Sequence, residues 1–387
     1  MVPLHKTLKL KLLYALMTVV FILSSCSKDE VKPTKPTPPT DPNAPTDTTS
    51  TTGPTTGGPN IYVAGYEYVE DPSGFGSVFK VAKIWKNGVA TSLTDGTDDA
   101  EASSVFVNGN DVYAAGWARI GDNFIAMLWK NGKATQLSSR LSYATSVVID
   151  GSDVYVAGYD YPEQGKENAV IWKNGVRMPL SNGTNNVDNY ALSIAVNKQH
   201  TYIAGADDNN ALMWIFGAET SITKKYGYAQ QIILSGEDYY IAGEAGAPYL
   251  TQGSADEDHI PQATIWKNGT STMTLTGKEG GASVANSVAV SGKNVYGAGY
   301  EYQYKDADKH YAAVLWKNGS PTLLSKYYST ASTVLVSDSD VYVAGYDSKV
   351  ANPFTVKGIV TVWKNGVATH YTDGTQDARG NSMFIKK

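Results

Sequence analysis

The chain has a single cysteine, Cys26, in 387 residues. No internal disulfide can form, so the folded part depends on packing for its stability. Histidine is nearly as scarce, five in all, and no histidine recurs at a shared position. Nucleophile elbows, phosphate loops and metal-spaced cysteines are missing as well. Apolar runs are short. The longest, Leu12 to Leu23, would rise about 18 Å as a helix against roughly 30 Å of bilayer hydrocarbon, which excludes a permanent helical span. No stretch shows the spacing of an amphipathic helix. Basic charge is in deficit, with 32 Lys and Arg against 37 Asp and Glu. Nucleic acid and sulfated polymers are poor partners for such a chain, because binding them rests on basic groups that release counterions.

What is present at the start is Lys6, Lys9 and Lys11 ahead of the apolar run, the pattern of a signal peptide over residues 1–25. Leu23-Ser24-Ser25-Cys26 resembles the bacterial lipobox, in which the cysteine thiol takes a diacylglyceryl group; the resemblance implies lipid on Cys26. Ser27, Lys28, Asp29 and Glu30 follow, similar to the short tags that send lipoproteins of Bacteroidota to the outer face of the outer membrane. A polar start to a linker is the alternative reading of those four residues. Residues 26–60 are expected to be a lipidated stalk, since Val31 to Asn60 is mostly Pro, Thr and Gly and cannot bury enough apolar surface to offset chain entropy. Loss of the three leader lysines takes 32 bases to 29 against 37 acids, a net charge of −8.

From Ile61 one unit recurs seven times. Its marks are a Tyr-x-Ala-Gly strand beginning at Tyr62, Tyr113, Tyr155, Tyr202, Tyr240, Tyr296 and Tyr342, and a turn beginning at Trp85, Trp129, Trp172, Trp214, Trp266, Trp316 and Trp363. The turn reads Trp-Lys-Asn-Gly except in unit four, where it is Trp214-Ile215-Phe216-Gly217. A spacing of about 46 residues suits a propeller blade and is too long for one coil of a β-solenoid. Each unit reads as four short strands, and Asn-Gly supplies the two positive φ angles of a tight hairpin. The repeat region opens on a second strand, Ile61 to Tyr66, and stops after a lone first strand, Asn381 to Lys387. The expected fold is therefore all-β, a seven-bladed β-propeller of four-stranded antiparallel blades over residues 61–387, closed by pairing of its N- and C-terminal strands.

Trp85-Lys86-Asn87-Gly88, then Leu93, Ala102 and Val105, follow the order of the HAF-type extracellular repeat, and most other units do the same. This resemblance covers nearly all of residues 61–387 and implies a propeller without implying an activity.

In such a meander the first-second and third-fourth turns lie at one end, and the second-third and interblade loops at the other. The first set is short and uniform. Gly-to-Trp separations across the second-third loops vary from 9 residues in unit four to 23 in unit five, and variable loops on a uniform scaffold are where binding resides. Tyr66, Tyr159, Tyr300 and Tyr346 hold one repeat position and are expected to pack between blades. Tyr68, Trp117, Tyr161 and Tyr302 are expected to reach beyond the strand ends. With the acids Asp160 and Glu301 beside them, they are candidate ligand contacts, because aromatic faces stack on sugar rings and carboxylates accept hydroxyl hydrogen bonds. Core packing is the competing reading. A second ring, Ser104, Ser146, Ser193, Gln231, Ser287, Thr333 and Ser382, is polar throughout and is expected to bond backbone around the central channel.

No catalytic residues are assigned and no cofactor is implied. Asp256, Asp258 and His259 in one loop, with Asp306, Asp308 and His310 in the next, read as solvated loop charge or as ligands of a divalent cation. Three functions follow from the sequence: a cell-surface module binding neutral glycan or an envelope protein, a polysaccharide lyase or hydrolase, and a scaffold subunit of an envelope complex.

Overall fold

The structure is a computed structural model that describes residues 58–70, 77–162, 166–180, 187–197, 200–208, 210–215, 217–223, 226–246, 261–275, 281–303, 310–348 and 357–387. The signal peptide, Cys26 and the expected stalk up to residue 57 lie outside these residues, as do Asp256, Asp258, His259, Asp306 and Asp308.

Among the described residues, alternation of apolar and polar residues with Asn-Gly and Asp-Gly turns builds 28 strands in seven four-stranded antiparallel sheets. The protein is a seven-bladed β-propeller. In blade two the order from the inside outward is Ala100–Asn108, Asp111–Ile120, Asn123–Lys130 and Lys133–Gln136. The inner strands of blades three to seven are Ser142–Asp150, Asn189–Asn197, Gly227–Ser235, Ser283–Ser291 and Thr330–Ser337. Blade one is made from both ends of the repeat region, with Ala378–Lys386 innermost against Asn60–Glu70, then Val78–Lys86 and Val89–Ser92. Ile385 faces Ile61 and Ser382 faces Ala64 across the closing pair. Closure gives blade one the inner strand that its N-terminal part lacks.

The two sequence motifs meet in each blade. In blade two Asn131, at φ 51°, opens the turn; its Oδ1 accepts from the Val112 N–H at 2.8 Å and its Nδ2 donates to Asp111 at 2.8 Å. Lys130 pairs with Asp111 and lies over the Tyr113 ring, 5.2 Å from its centre. Trp129 is 1% exposed and packs among Ala82, Ile84, Ala102 and Val105 of two neighbouring blades. All seven repeat tryptophans are buried in this way, and truncating one to alanine would cost about 3–5 kcal/mol. Blade four lacks the Lys-Asn pair, and there the Trp214 indole donates to Glu219 instead, at 3.1 Å.

Each inner strand carries a register shift near its start, as between Ala102 and Ser104 or Ala144 and Ser146. This bulge turns the next polar residue toward the neighbouring blade. Ser104 accepts from the Val147 N–H at 3.1 Å, Ser193 from Ile232 at 3.2 Å, Gln231 from Val288 at 2.8 Å and Ser287 from Val334 at 3.0 Å. The bulged residues themselves reach the same way: Thr145 donates to Ala191 O, Asn286 to Ala331 O and Asn381 to Ala102 O. The polar ring expected from the sequence thus links successive blades through backbone.

Candidate functional site

The second strands run further toward the long-loop end than the sequence suggested. That of blade one reaches Glu70, that of blade two Ile120 and that of blade six Gln303. Tyr68, Trp117 and Tyr302 therefore lie inside strands, not beyond them, facing Lys80, Ala126 and Tyr311. Tyr161 sits one residue past its strand but still donates its N–H to Leu141 O at 2.9 Å. Unmatched backbone on the interblade loops extends the ladders; Tyr68 N–H, for example, bonds Asp377 O.

These side chains join others into a belt of half-buried rings. Trp117 meets Phe124 at 4.9 Å and Tyr143 at 6.0 Å; Tyr143 stacks on Tyr159 at 5.2 Å and touches Tyr161 at 6.4 Å; Tyr159 meets Tyr190 at 5.0 Å. A second arc runs from Tyr302 to Tyr311 at 5.2 Å, then to Tyr328 and Tyr346 at 6.2 Å each. Lys80 stands over Tyr66 at 4.3 Å and near Trp117 at 5.5 Å. Of the residues expected between blades, Tyr66 and Tyr346 are buried, while Tyr159 and Tyr300 keep part of a face open. Burial pushes the phenols of Tyr161, Tyr190, Tyr300 and Tyr328 up, so each remains a neutral donor-acceptor at ordinary pH.

Sequence reasoning missed Tyr143, Tyr190 and Tyr228. Their common place, immediately before the alanine that opens each bulge, was the signal. On the second strands, the position held by Tyr66, Trp117, Tyr159, Tyr300 and Tyr346 is Ala206 in blade four and Glu244 in blade five. The belt is interrupted there. Glu244, opposite Tyr228, has its carboxyl pushed up to about 7 by burial.

The two acids proposed as ligand contacts are placed differently. Asp160 is wholly buried, and Arg177 of its own blade binds both its oxygens, Nε to Oδ2 at 2.5 Å and Nη2 to Oδ1 at 2.8 Å. Glu301 is 1% exposed and accepts from Gln303 Nε2 at 2.7 Å. Alternation along the strand explains both: if the aromatic residue faces the loop surface, its neighbour points to the opposite side of the sheet. Neither carboxylate is open to a ligand hydroxyl. His310 is also enclosed, 2% exposed at the start of a strand. Among the described residues no three His, Cys, Asp or Glu side chains stand close enough to hold a metal ion.

No protein-family model matches the chain, and no curated protein is similar to it. Solved structures with a similar chain path include the computationally designed Ika8 protein (15% identity, 74% of this chain and 80% of that one, TM-score 0.39). TolB from Acinetobacter baumannii is similar at 11% identity over 84% of this chain and 80% of that one, with a TM-score of 0.42. The acylaminoacyl peptidase of Pyrococcus horikoshii is similar at 12% identity over 81% of this chain and 51% of that one, TM-score 0.46, so the chain spans about half of that enzyme's length.

Proposed function

We propose that the protein is a lipid-anchored lipoprotein of the outer cell surface whose propeller binds neutral glycan on the long-loop face. The observation that supports this reading is the run of part-open rings from Trp117 through Phe124, Tyr143, Tyr159 and Tyr161 to Tyr190. Flat rings with neutral hydroxyls at their edges suit stacking on sugars and hydrogen bonding to their hydroxyls. The leader and Cys26 support the anchoring. Single weak sites would gain by avidity when many copies stand on one surface.

The test is a glycan array and an envelope-protein screen with the full chain, followed by titration of Trp117→Ala, Tyr161→Ala and the double variant. Since Trp117 and Tyr161 pack within the belt, melting curves must accompany the titrations. A drop of tenfold or more in glycan affinity at temperatures where the variants remain folded is expected. Unchanged affinity, or binding only of a protein on the short-turn face around Asn87 and Asn131, overturns it. Replacing Cys26 by Ser and labelling with a radioactive fatty acid tests the anchor; a variant that still incorporates label sinks it.

A further inference from the structure

At the inner rim of the long-loop face, seven equivalent residues are Glu101, Tyr143, Tyr190, Tyr228, Val284, Thr330 and Arg379. One of them is an arginine with little to hold it. The Nε–H of Arg379 is buried without an acceptor. Among the described residues, its one ion-pair partner is Asp377, 3.6 Å from Nη2 and outside hydrogen-bond reach. The carboxylate of Asp377 is occupied elsewhere, because its Oδ1 accepts from the Gly358 N–H at 2.7 Å. Glu101, on the adjacent inner strand, is satisfied by Lys80 at 3.1 Å and by Asn381 at 2.9 Å. Meanwhile the guanidinium lies over the Tyr346 ring, 4.6 Å from its centre, with its side chain 30% exposed. A buried N–H with no acceptor is costly and cannot be relieved from solvent, but a part-open guanidinium seated over an aromatic ring still presents its outer donors to a planar anion.

We propose that Arg379 is a binding residue for a carboxylate, carried by an acidic sugar whose ring meets the part-open Tyr68 and Tyr328, which stand against the buried Tyr66 and Tyr346. Because Nε is buried, the outer donors on Nη1 and Nη2 bind the two carboxylate oxygens, and the ring of Tyr346 supports the guanidinium from beneath. Tyr66 is the aromatic side chain facing Arg379 across the closing strand pair. The site adds an acidic-ligand specificity to a face otherwise suited to neutral sugars, and it stands whether or not the neutral-glycan reading does.

The experiment titrates the full chain with sodium glucuronate, with glucose as the neutral arm and inorganic phosphate as the competing anion, by calorimetry or ligand-observed NMR. Glucuronate is expected to bind more tightly than glucose or phosphate. Arg379→Gln should weaken glucuronate about tenfold or more, as expected for loss of charge-assisted hydrogen bonds; Arg379→Lys should recover only part of it, because an ammonium cannot form the fork. Asp377→Asn removes the one nearby negative charge and should tighten binding, which keeps the test open if Arg379→Gln folds poorly. No glucuronate binding by the wild-type chain, equal binding by Arg379→Gln, or loss of glucuronate in the Trp117→Ala/Tyr161→Ala variant with retention in Arg379→Gln each overturns the proposal. Failure of the neutral array alone leaves these readouts unaffected and counts only against the neutral-glycan reading.

Discussion

The carbonyl oxygen of Glu101 occupies the place where a β-carbon on Gly116 would stand. The inner strand bulges at this point, between Ala102 and Ser104, and pushes that carbonyl across the sheet. Gly65, Gly158, Gly205, Gly243, Gly299 and Gly345 meet a carbonyl of the inner strand in the same way. The glycine of the Tyr-x-Ala-Gly motif is thus the partner that admits the bulge, and the bulge is what aims the polar ring at the next blade. Gly116→Ala should destabilise by about 3–4 kcal/mol, in the range of backbone clashes that cannot relax. Gly109→Ala, in an open turn with positive φ, should lose only about 1 kcal/mol. Denaturant unfolding of the two variants provides the comparison, and equal losses would refute this role for the motif.

Removal of Asn381 to Lys387 is expected to take away the strand that faces Ile61 to Ala64, together with Met383 and Phe384, which pack into two interblade clusters. Melting should fall by more than about 10 °C or lose its cooperativity, since several kcal/mol of packing are lost from a ring that no longer closes. An unchanged melting temperature by circular dichroism would contradict the closure.

The Asp160–Arg177 pair should be asymmetric. Asp160 is 0% exposed whereas the Arg177 side chain is 33% exposed, so Arg177→Leu leaves a buried carboxylate with only the long contact to Arg140, 4.0 Å away, while Asp160→Asn leaves a cation that water still reaches. The first should cost about 3–5 kcal/mol and the second clearly less, with the double variant recovering much of the loss. Urea unfolding of the cycle measures this, and equal single-variant losses would count against it.

Glu244 should make stability fall with rising pH. Its folded pKa of about 7 lies above the unfolded value near 4.5, so its contribution is fully present below about pH 4.5 and is lost as pH rises through 7. The whole shift corresponds to about 3 kcal/mol, trimmed to about 1–2 by the side chain's partial exposure. Glu244→Gln should therefore match wild type near pH 4.5 and exceed it at pH 8. Parallel stability curves across that window would refute the assignment.

The sequence made the ring legible because its determinants are local and repeated. Trp129, Lys130, Asn131 and Gly132 sit together in the chain, and their partners Tyr113 and Asp111 lie within one hairpin. The bulge was not legible as such, because a one-residue shift after Ala102 breaks the period-two pattern on which strand reading depends. Nor were the true ends of the second strands, since Tyr68 is extended by a carbonyl at Asp377, about 300 residues away in the chain. Asp160 was grouped with the aromatics because it adjoins Tyr159, yet neighbours in a strand face opposite sides. Arg379 was overlooked for a related reason: its importance comes from what its neighbours fail to offer it, and only their coordinates show that.

Asn60 bonds Asn87 of the short-turn end, and Lys386, its partner across the closing pair, reaches the turn carbonyl of Gly109. The polypeptide therefore comes into the ring and leaves it at one place on one face. A reporter or solid support joined at Asn60 or Lys386 is attached at the end of the ring opposite the aromatic rim. Because the two routes lie side by side, a short peptide could join them and a new opening be cut in another hairpin, such as the one at Gly292, giving a circularly permuted ring with its aromatic rim intact.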